Sequence, residues 1–139
     1  MARPPARRID PRFAECDSIL FLALFWGGNR LCTLTDLIAR YDWVNRVIPT
    51  ADELDGALNR LLAAGLIAKR RHGFCIPARV AREFDAFRKR RRRDRFVVAR
   101  TFVESAGPLN TAPRRVTISS AEHERAYAEY QRIFRAYSR

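Results

Sequence analysis

Seven positively charged side chains fall within eight residues near the middle of the chain. Neighbouring like charges on a helix repel one another by roughly 0.2–0.5 kcal/mol per pair, so this run needs counterions. Phosphate groups of a nucleic acid are one source, and release of their condensed ions gives an affinity that falls steeply with salt. A solvated surface is a second interpretation, and neutralisation of acidic helices in this chain or in a partner is a third. The run consists of Arg88, Lys89, Arg90, Arg91, Arg92, Arg93 and Arg95.

The charge of the chain is distributed unevenly along its length. The formal net charge is +12, which favours a polyanionic partner such as nucleic acid or an anionic membrane surface. Residues 10–60 contain five basic and eight acidic residues, whereas residues 69–100 contain thirteen basic and three acidic residues. The basic half starts in a short stretch that we predict to form a hairpin, with Lys69, Arg70, Arg71 and His72 at its tip.

Residue types that could catalyse a reaction or bind a metal are few and scattered. The three cysteines are widely spaced, form no Cys-x-x-Cys pair and are accompanied by only two histidines, which disfavours both a zinc site and a disulfide scaffold. Neither His72 nor His123 has a nucleophile beside it in sequence, and the sequence contains no glycine-rich phosphate loop. We therefore expect a protein with reduced thiols that is not an enzyme and uses no cofactor or metal.

The first half of the chain must form the scaffold that positions the basic residues, and the spacing of its apolar residues predicts helices. The apolar run at 19–26 indicates a buried helix that starts at Asp10 and Pro11 and ends at the glycines 27–28. A second helix is expected to begin after Thr33 or Thr35 and to stop near residue 45.

The third helix has the clearest boundaries. Thr50 and Glu53 form a capping box, in which each side chain accepts a hydrogen bond from an otherwise free backbone amide. Leucines at 54, 58, 61 and 62 then form one apolar stripe, and Gly65 supplies the left-handed residue that closes a helix. Residues 66–70 and 74–76 are predicted to be two short strands around a tight turn supplied by Gly73.

Two helical segments are predicted after the hairpin. Residues 78–104 are predicted to form a basic helix. Either this helix breaks near 92–95, or it is continuous and the aliphatic parts of the arginine side chains lie along the protein surface with their charges pointing outward. Residues 105–118 are a connection, rich in turn-forming residues. Residues 119–139 form an amphipathic helix that opens with a capping box at Ser119 and Glu122. Its aromatic stripe is predicted to pack on the body or on a second subunit through Tyr127, Tyr130, Phe134 and Tyr137.

The N-terminal residues resemble a signal peptide only superficially. Residues 1–9 carry three arginines and two prolines and are expected to be a flexible basic arm. Glu15 and Asp17 precede the apolar run directly, and its eight residues are too few to span a bilayer. We therefore expect a cytoplasmic protein with no membrane partner.

Three helices, a glycine stop and a two-stranded hairpin within about 65 residues resemble the winged helix-turn-helix superfamily. The resembling domain covers residues 10–77, so the expected fold is mainly α with a C-terminal helical extension. The motifs that carry most of the resemblance are Ile-Pro-Thr at 48–50 and Leu-Leu-Ala-Ala-Gly-Leu-Ile at 61–67. The chain is similar to uncharacterised bacterial winged-helix proteins, and its C-terminal helices look like those through which PadR-type regulators dimerise.

The resemblance implies that the third helix enters a DNA groove and that the hairpin, the wing, touches phosphates. The residues of the third helix that would face outward, toward the DNA, are Asp52, Glu53, Asp55, Gly56, Asn59 and Arg60. The three carboxylates are unfavourable near a phosphate backbone and instead complement the helix dipole. Base specificity would then come from Arg46, Asn59 or Arg60, or from DNA shape.

The sequence therefore favours a protein that binds double-stranded DNA and regulates transcription, with phosphate contacts from the wing and the arginine run. A homodimer through the C-terminal helix would fit this function. The alternative is a protein-interaction module whose contact surfaces are the acidic face of the third helix and the aromatic stripe. That module would have no specific DNA site.

Overall fold

The computed structural model describes residues 12–28, 30–107 and 114–137, and within these ranges the chain is mainly helical with one two-stranded antiparallel hairpin. The predicted basic arm at 1–9 lies outside the described residues. In chain order the elements are α1 (Glu15–Trp26), α2 (Leu34–Asn45), α3 (Ala51–Ala63), β1 (Ala68–Arg70), β2 (Gly73–Cys75), α4 (Ala78–Lys89), α5 (Arg95–Glu104) and α6 (Ser120–Tyr137).

Helix α1 is the central element of the core. Its residues 17–24 are all buried, and it packs against α2, α3 and α5. An apolar surface all round is typical of a helix enclosed by others. The predicted start at Asp10 is wrong, because residues 12–14 are not helical and the helix begins at Glu15. The backbone amide of Ala14 instead donates to the Asp17 carboxylate over 3.0 Å, so the capping group lies inside the first turn.

The caps predicted for α2 and α3 are present. The Glu53 amide donates to the Thr50 hydroxyl and the Thr50 amide donates to the Glu53 carboxylate, both over 3.1 Å. Thr33 begins α2 through the same exchange with Asp36. Gly65 has a φ of 72°, which confirms that it closes α3 in the left-handed conformation.

The hairpin is shorter than predicted and its glycine has a different role. Arg70 pairs with Gly73, so the turn consists of Arg71 and His72. The prediction that Gly73 supplies the turn conformation is wrong, because its φ is not left-handed. A Cβ atom at Gly73 would lie 2.2 Å from the carbonyl oxygen of Cys32, so glycine is required there by a close backbone approach.

Cys32 forms an isolated antiparallel β-bridge with Phe74 of this hairpin. Its amide donates to the carbonyl of Phe74 and its carbonyl accepts from the amide of Phe74, each over 2.8 Å. The bridge ties the connection between α1 and α2 to β2. It therefore fixes the position of the hairpin relative to the first two helices.

The helix predicted over 78–104 is two helices. Helix α4 ends at Lys89, and α5 begins after Asp94, whose carboxylate accepts from the amide of Phe96 over 2.8 Å. The break at 90–94 falls inside the arginine run, where a continuous helix would stack many like charges at neighbouring positions. Phe84 of α4 and Phe102 of α5 meet Phe21 of α1 with ring centroids 5.0–5.6 Å apart. This aromatic cluster fixes the corner between the two helices.

Helix α6 packs along α2, and the residues before it dock on α3. The Glu122 amide donates to the Ser119 hydroxyl over 3.1 Å, which is one of the two hydrogen bonds of the predicted capping box. His123 Nε2 lies 2.6 Å from the carbonyl oxygen of Pro49, at the start of α3. The described part of the predicted connection at 105–118 therefore includes an ordered segment, residues 114–118, that contacts the core.

Candidate nucleic-acid interface

Arg60 was predicted to face outward from α3, and this prediction is wrong. Its guanidinium donates to both carboxylate oxygens of Asp17 in α1, over 2.6 and 2.9 Å. The Arg60 side chain is only 11% exposed and that of Asp17 is fully buried. The charge of Arg60 therefore compensates the Asp17 carboxylate inside the protein.

Asn59 was also predicted to face outward, and it is only 2% exposed. Its side-chain oxygen accepts from the backbone amides of Arg115 (2.7 Å) and Val116 (3.0 Å). Its amide nitrogen donates to the Val116 carbonyl over 3.0 Å. The Asn59 side chain thus provides hydrogen-bond partners for three backbone groups of the 114–118 segment.

Asp55 holds the same segment at a second point. Its carboxylate accepts from the Ile118 amide over 2.8 Å and forms an ion pair with Arg114. Asp55 is buried although it was predicted to face outward, whereas Asp52 and Glu53 are exposed as expected. The 114–118 segment therefore covers the middle of the α3 face that the resemblance assigns to DNA.

We expect Asn59→Ala to lower the free energy of unfolding by about 1–3 kcal/mol, because three backbone groups of the 114–118 segment lose their partner. Urea unfolding measures the loss. Hydrogen exchange of the Val116 amide should accelerate by more than global destabilisation explains, since the segment detaches first. Asn45→Ala is the matched control, because Asn45 makes no side-chain hydrogen bond in the described ranges. Equal effects of the two substitutions would contradict the clamping role of Asn59.

Arg46 remains exposed at the end of α2. Its φ of 57° places a residue with a side chain in the left-handed region, where a non-glycine residue costs about 1–2 kcal/mol. Of the three residues predicted to read bases, it is the one whose side chain the structure leaves exposed.

The β1–β2 hairpin is solvent-exposed along its tip. Lys69, Arg70, Arg71 and His72 are all exposed, and no carboxylate pairs with them in the part of the chain that the structure describes. A groove of about 450 Å³ runs between these residues and the 114–118 segment. Arg114 and Arg115 line its far side, and Glu122 is its one acidic residue among those described. The β1–β2 hairpin therefore forms one wall of a basic groove.

The run from Arg88 to Arg95 lies at the turn between α4 and α5, and we call it the arginine corner. Arg88 and Lys89 pair with the Asp85 carboxylate over 2.6 and 2.9 Å, and these contacts lower the pKa of Asp85. The remaining cations are exposed and have no carboxylate partner among the described residues. They are Arg90, Arg91, Arg92, Arg93 and Arg95.

Aromatic rings hold three of these guanidinium groups in place. Arg88 lies over the ring of Phe25 (5.3 Å to the centroid) and Arg95 over that of Trp26 (4.6 Å). Arg91 lies 3.5 Å from the ring centroid of Phe87. The arginine run itself contains no aromatic residue. Two of these rings come from the end of α1, more than sixty residues earlier in the chain.

The aromatic stripe of α6 is divided between the body and solvent. Tyr127 and Tyr130 pack partly buried against the core, whereas Phe134 is 59% exposed. The Tyr130 hydroxyl donates to the Asp42 carboxylate of α2 over 2.6 Å. The side chain of Tyr137 lies outside the described residues. The first part of the stripe therefore docks α6 on its own chain.

Tyr130 gives this docking a pH dependence. Burial and the Asp42 carboxylate raise its pKa from the ordinary value of 10 to about 12. The folded protein therefore holds this proton more tightly than the unfolded chain, so the stabilisation is complete below pH 10 and is lost as the pH rises to 12. We expect Tyr130→Phe to cost about 0.5–1.5 kcal/mol at pH 8. The difference from wild type should shrink above pH 10, as measured by urea unfolding.

Tyr127→Phe is the control for this prediction, since the Tyr127 hydroxyl makes no hydrogen bond among the described residues. Its stability difference from wild type at pH 8 should be small. A Tyr130→Phe difference that does not change with pH would show that the hydrogen bond to Asp42 does not stabilise the fold.

The cysteines and histidines do not assemble into a reactive centre in the described ranges. Burial, reinforced by the Asp17 carboxylate, raises the pKa of the Cys16 thiol to about 12, and burial also raises the pKa of Cys32. A thiol that stays protonated at neutral pH is a poor nucleophile. No cluster of three or more metal-ligating side chains occurs within 12–28, 30–107 and 114–137.

Comparison with known proteins adds no relative: no protein-family model, curated protein or solved structure matches the chain. In the ranges that the structure covers, none of the helices combines the length and the apolar composition needed to cross a bilayer.

Proposed function

We propose that this chain is a winged helix-turn-helix protein that binds double-stranded DNA. The order of its elements supports this fold, because α1, α2 and α3 are followed directly by the β1–β2 hairpin. The bridge from Cys32 to Phe74 ties the connection between α1 and α2 to this hairpin, so the hairpin has a fixed position beside the three helices. The hairpin is then the wing.

The observation that carries the proposal is the set of exposed cations, on the hairpin and at the arginine corner, that have no carboxylate partner among the described residues. Side chains of this kind neutralise phosphates and release condensed counterions. Arginine also donates two parallel hydrogen bonds to one phosphate, which a lysine cannot do. These contacts position a protein on a duplex without reading its sequence.

The covered face of α3 limits how such a protein could recognise DNA. Asp55 and Asn59 bind the 114–118 segment, and Arg60 binds Asp17. In this conformation these three side chains cannot form hydrogen bonds with the edges of bases. Arg46 and DNA shape are the remaining sources of selectivity. We therefore infer binding that depends strongly on salt and weakly on sequence. A regulatory role would rest on selectivity gained in this way.

Titration of the protein with fluorescent duplexes of two unrelated sequences, at several salt concentrations, tests the proposal. We expect similar affinities for both duplexes, and a slope of log K against log salt of about −0.9 for each phosphate contact. Several contacts would make the affinity fall on the order of a hundredfold or more between low and physiological salt. A slope near zero, or no binding at low salt, would refute DNA binding.

A protein-interaction module is the second candidate, and exposed apolar side chains favour it. Trp43 of α2 is 86% exposed, Val47 follows it at 55%, and Phe134 of α6 is also exposed. Exposed aromatic side chains of this size are enriched at interfaces between proteins. A second copy of the chain is the partner predicted for α6, and sedimentation of the pure protein detects this association. Trp43→Ala should weaken such an association and leave duplex binding intact.

A further inference from the structure

The arginine corner contains a small pocket with an apolar floor. Leu22, Phe84 and Val98 form the floor and are all buried, and the ring of Trp26 forms one wall. The pocket volume is about 150 Å³. Pockets that enclose a whole drug-sized ligand measure roughly 300–1,000 Å³, so this pocket has room for one group of a larger ligand.

The floor and the rim favour different parts of that ligand. A phosphate that enters the pocket would lose water against three apolar side chains, which is costly for a charged group. The faces of a nucleobase are planar and apolar and carry no such cost. The guanidinium groups at the rim are suited to the phosphates on either side of the base. The chemistry of the pocket is therefore that of a nucleotide whose base is not paired.

The rim arginines are already arranged for this ligand. Arg88, Arg91 and Arg95 each lie over an aromatic ring, and Arg95 contacts both Trp26 (4.6 Å) and Phe96 (5.0 Å). Packing against a ring limits the motion of a guanidinium group, so it loses little freedom on binding. Arg95 has no carboxylate partner among the described residues, so its donors remain available to phosphate, whereas Arg88 also pairs with Asp85. Trp26 remains 44% exposed with Arg95 over its ring, so part of its surface is open to a base.

We propose that the arginine corner binds single-stranded nucleic acid by inserting one unpaired base beside Trp26, with the flanking phosphates on the rim arginines. A base inside a duplex is stacked and paired and cannot reach the floor of the pocket. The corner therefore distinguishes an unpaired strand, or an unpaired end of a duplex, from continuous duplex. This inference rests on the proposed function only in requiring that a nucleic acid reaches the arginine corner.

The test compares three labelled ligands at one salt concentration: oligothymidine of about 12 nucleotides, an abasic strand with the same number of phosphates, and a duplex. Stacking of one base on an aromatic side chain typically strengthens binding by about fivefold or more, so oligothymidine should exceed the abasic strand by that factor. Trp26→Ala should remove the difference. Trp43→Ala, a matched tryptophan substitution on the exposed face of α2, should leave it unchanged.

Because Trp26→Ala changes a residue of α1, a fluorescence measurement that keeps Trp26 in place provides a second test. The chain contains two tryptophans, so Trp43→Phe leaves Trp26 as the single emitter. Oligothymidine should quench its fluorescence, and the abasic strand should not. Equal affinities for the two strands together with equal quenching would overturn the inference. The duplex measurement tests the proposed function separately. If the protein does not bind duplex but still prefers oligothymidine to the abasic strand, the proposal of duplex binding is refuted and the inference about the unpaired base stands.

Discussion

Arg60→Met is expected to lower the free energy of unfolding by about 3–5 kcal/mol, because it leaves the fully buried carboxylate of Asp17 without its counter-charge. Two hydrogen bonds from the guanidinium are lost, and the Ala14 amide remains as the main donor to that carboxylate. Methionine keeps the unbranched stem and a good helix propensity, so the loss reports on the charge. Urea unfolding at neutral pH, monitored by circular dichroism, measures it.

The double variant Asp17→Asn/Arg60→Met is the control for this experiment. Asparagine removes the buried negative charge and keeps an oxygen that accepts from the Ala14 amide, so the double variant should be more stable than Arg60→Met alone. If Arg60 instead contacted DNA, its substitution would weaken duplex binding and change stability by less than 1 kcal/mol. That outcome would show that the ion pair to Asp17 is not formed in solution.

Features that depend on local sequence were predictable. The capping box at Thr50 and the left-handed Gly65 each depend on backbone groups within a few residues, and both are present. The hairpin after α3 and the buried character of α1 also follow from short apolar patterns. The predicted mainly helical class with one small hairpin is confirmed for the described residues.

The wrong predictions about the α3 side chains concern partners that are distant in sequence. Asn59 binds backbone groups 56 and 57 residues away, and Arg60 pairs with Asp17 at a separation of 43 residues. A polar residue beside an apolar stripe can face solvent or a buried partner, and helical spacing does not distinguish the two. One signal was present: Asp55 and Asn59 lie four residues apart and share one side of α3. Two polar residues so placed can clamp an extended segment.

The arginine corner combines both kinds of information. Its charge is evident from the sequence, and the sequence left open whether the helix continued through it. The answer depends on the aromatic rings of Phe21, Phe84 and Phe102, which pack only if the chain turns between α4 and α5. The same turn brings Trp26 beside Arg95, which no local pattern indicates.

The triple variant Arg90→Gln/Arg92→Gln/Arg93→Gln is expected to weaken duplex binding at low salt on the order of tenfold to a hundredfold. These three side chains are exposed and have neither an aromatic ring nor a carboxylate partner among the described residues, so the fold should be unaffected. Each lost phosphate contact should reduce the magnitude of the salt slope by about 0.9. Fluorescence anisotropy at four or more salt concentrations measures both quantities.

A matched control removes the same charge from another surface. Arg125→Gln/Arg132→Gln/Arg135→Gln lowers the net charge by the same amount on the exposed side of α6, where no part of the proposed interface lies. If attraction to net positive charge alone explained binding, both triple variants would reduce the salt slope equally. A reduced slope for the corner variant with an unchanged slope for the α6 variant requires that phosphates contact the arginine corner itself, because counterions are released only where charges meet.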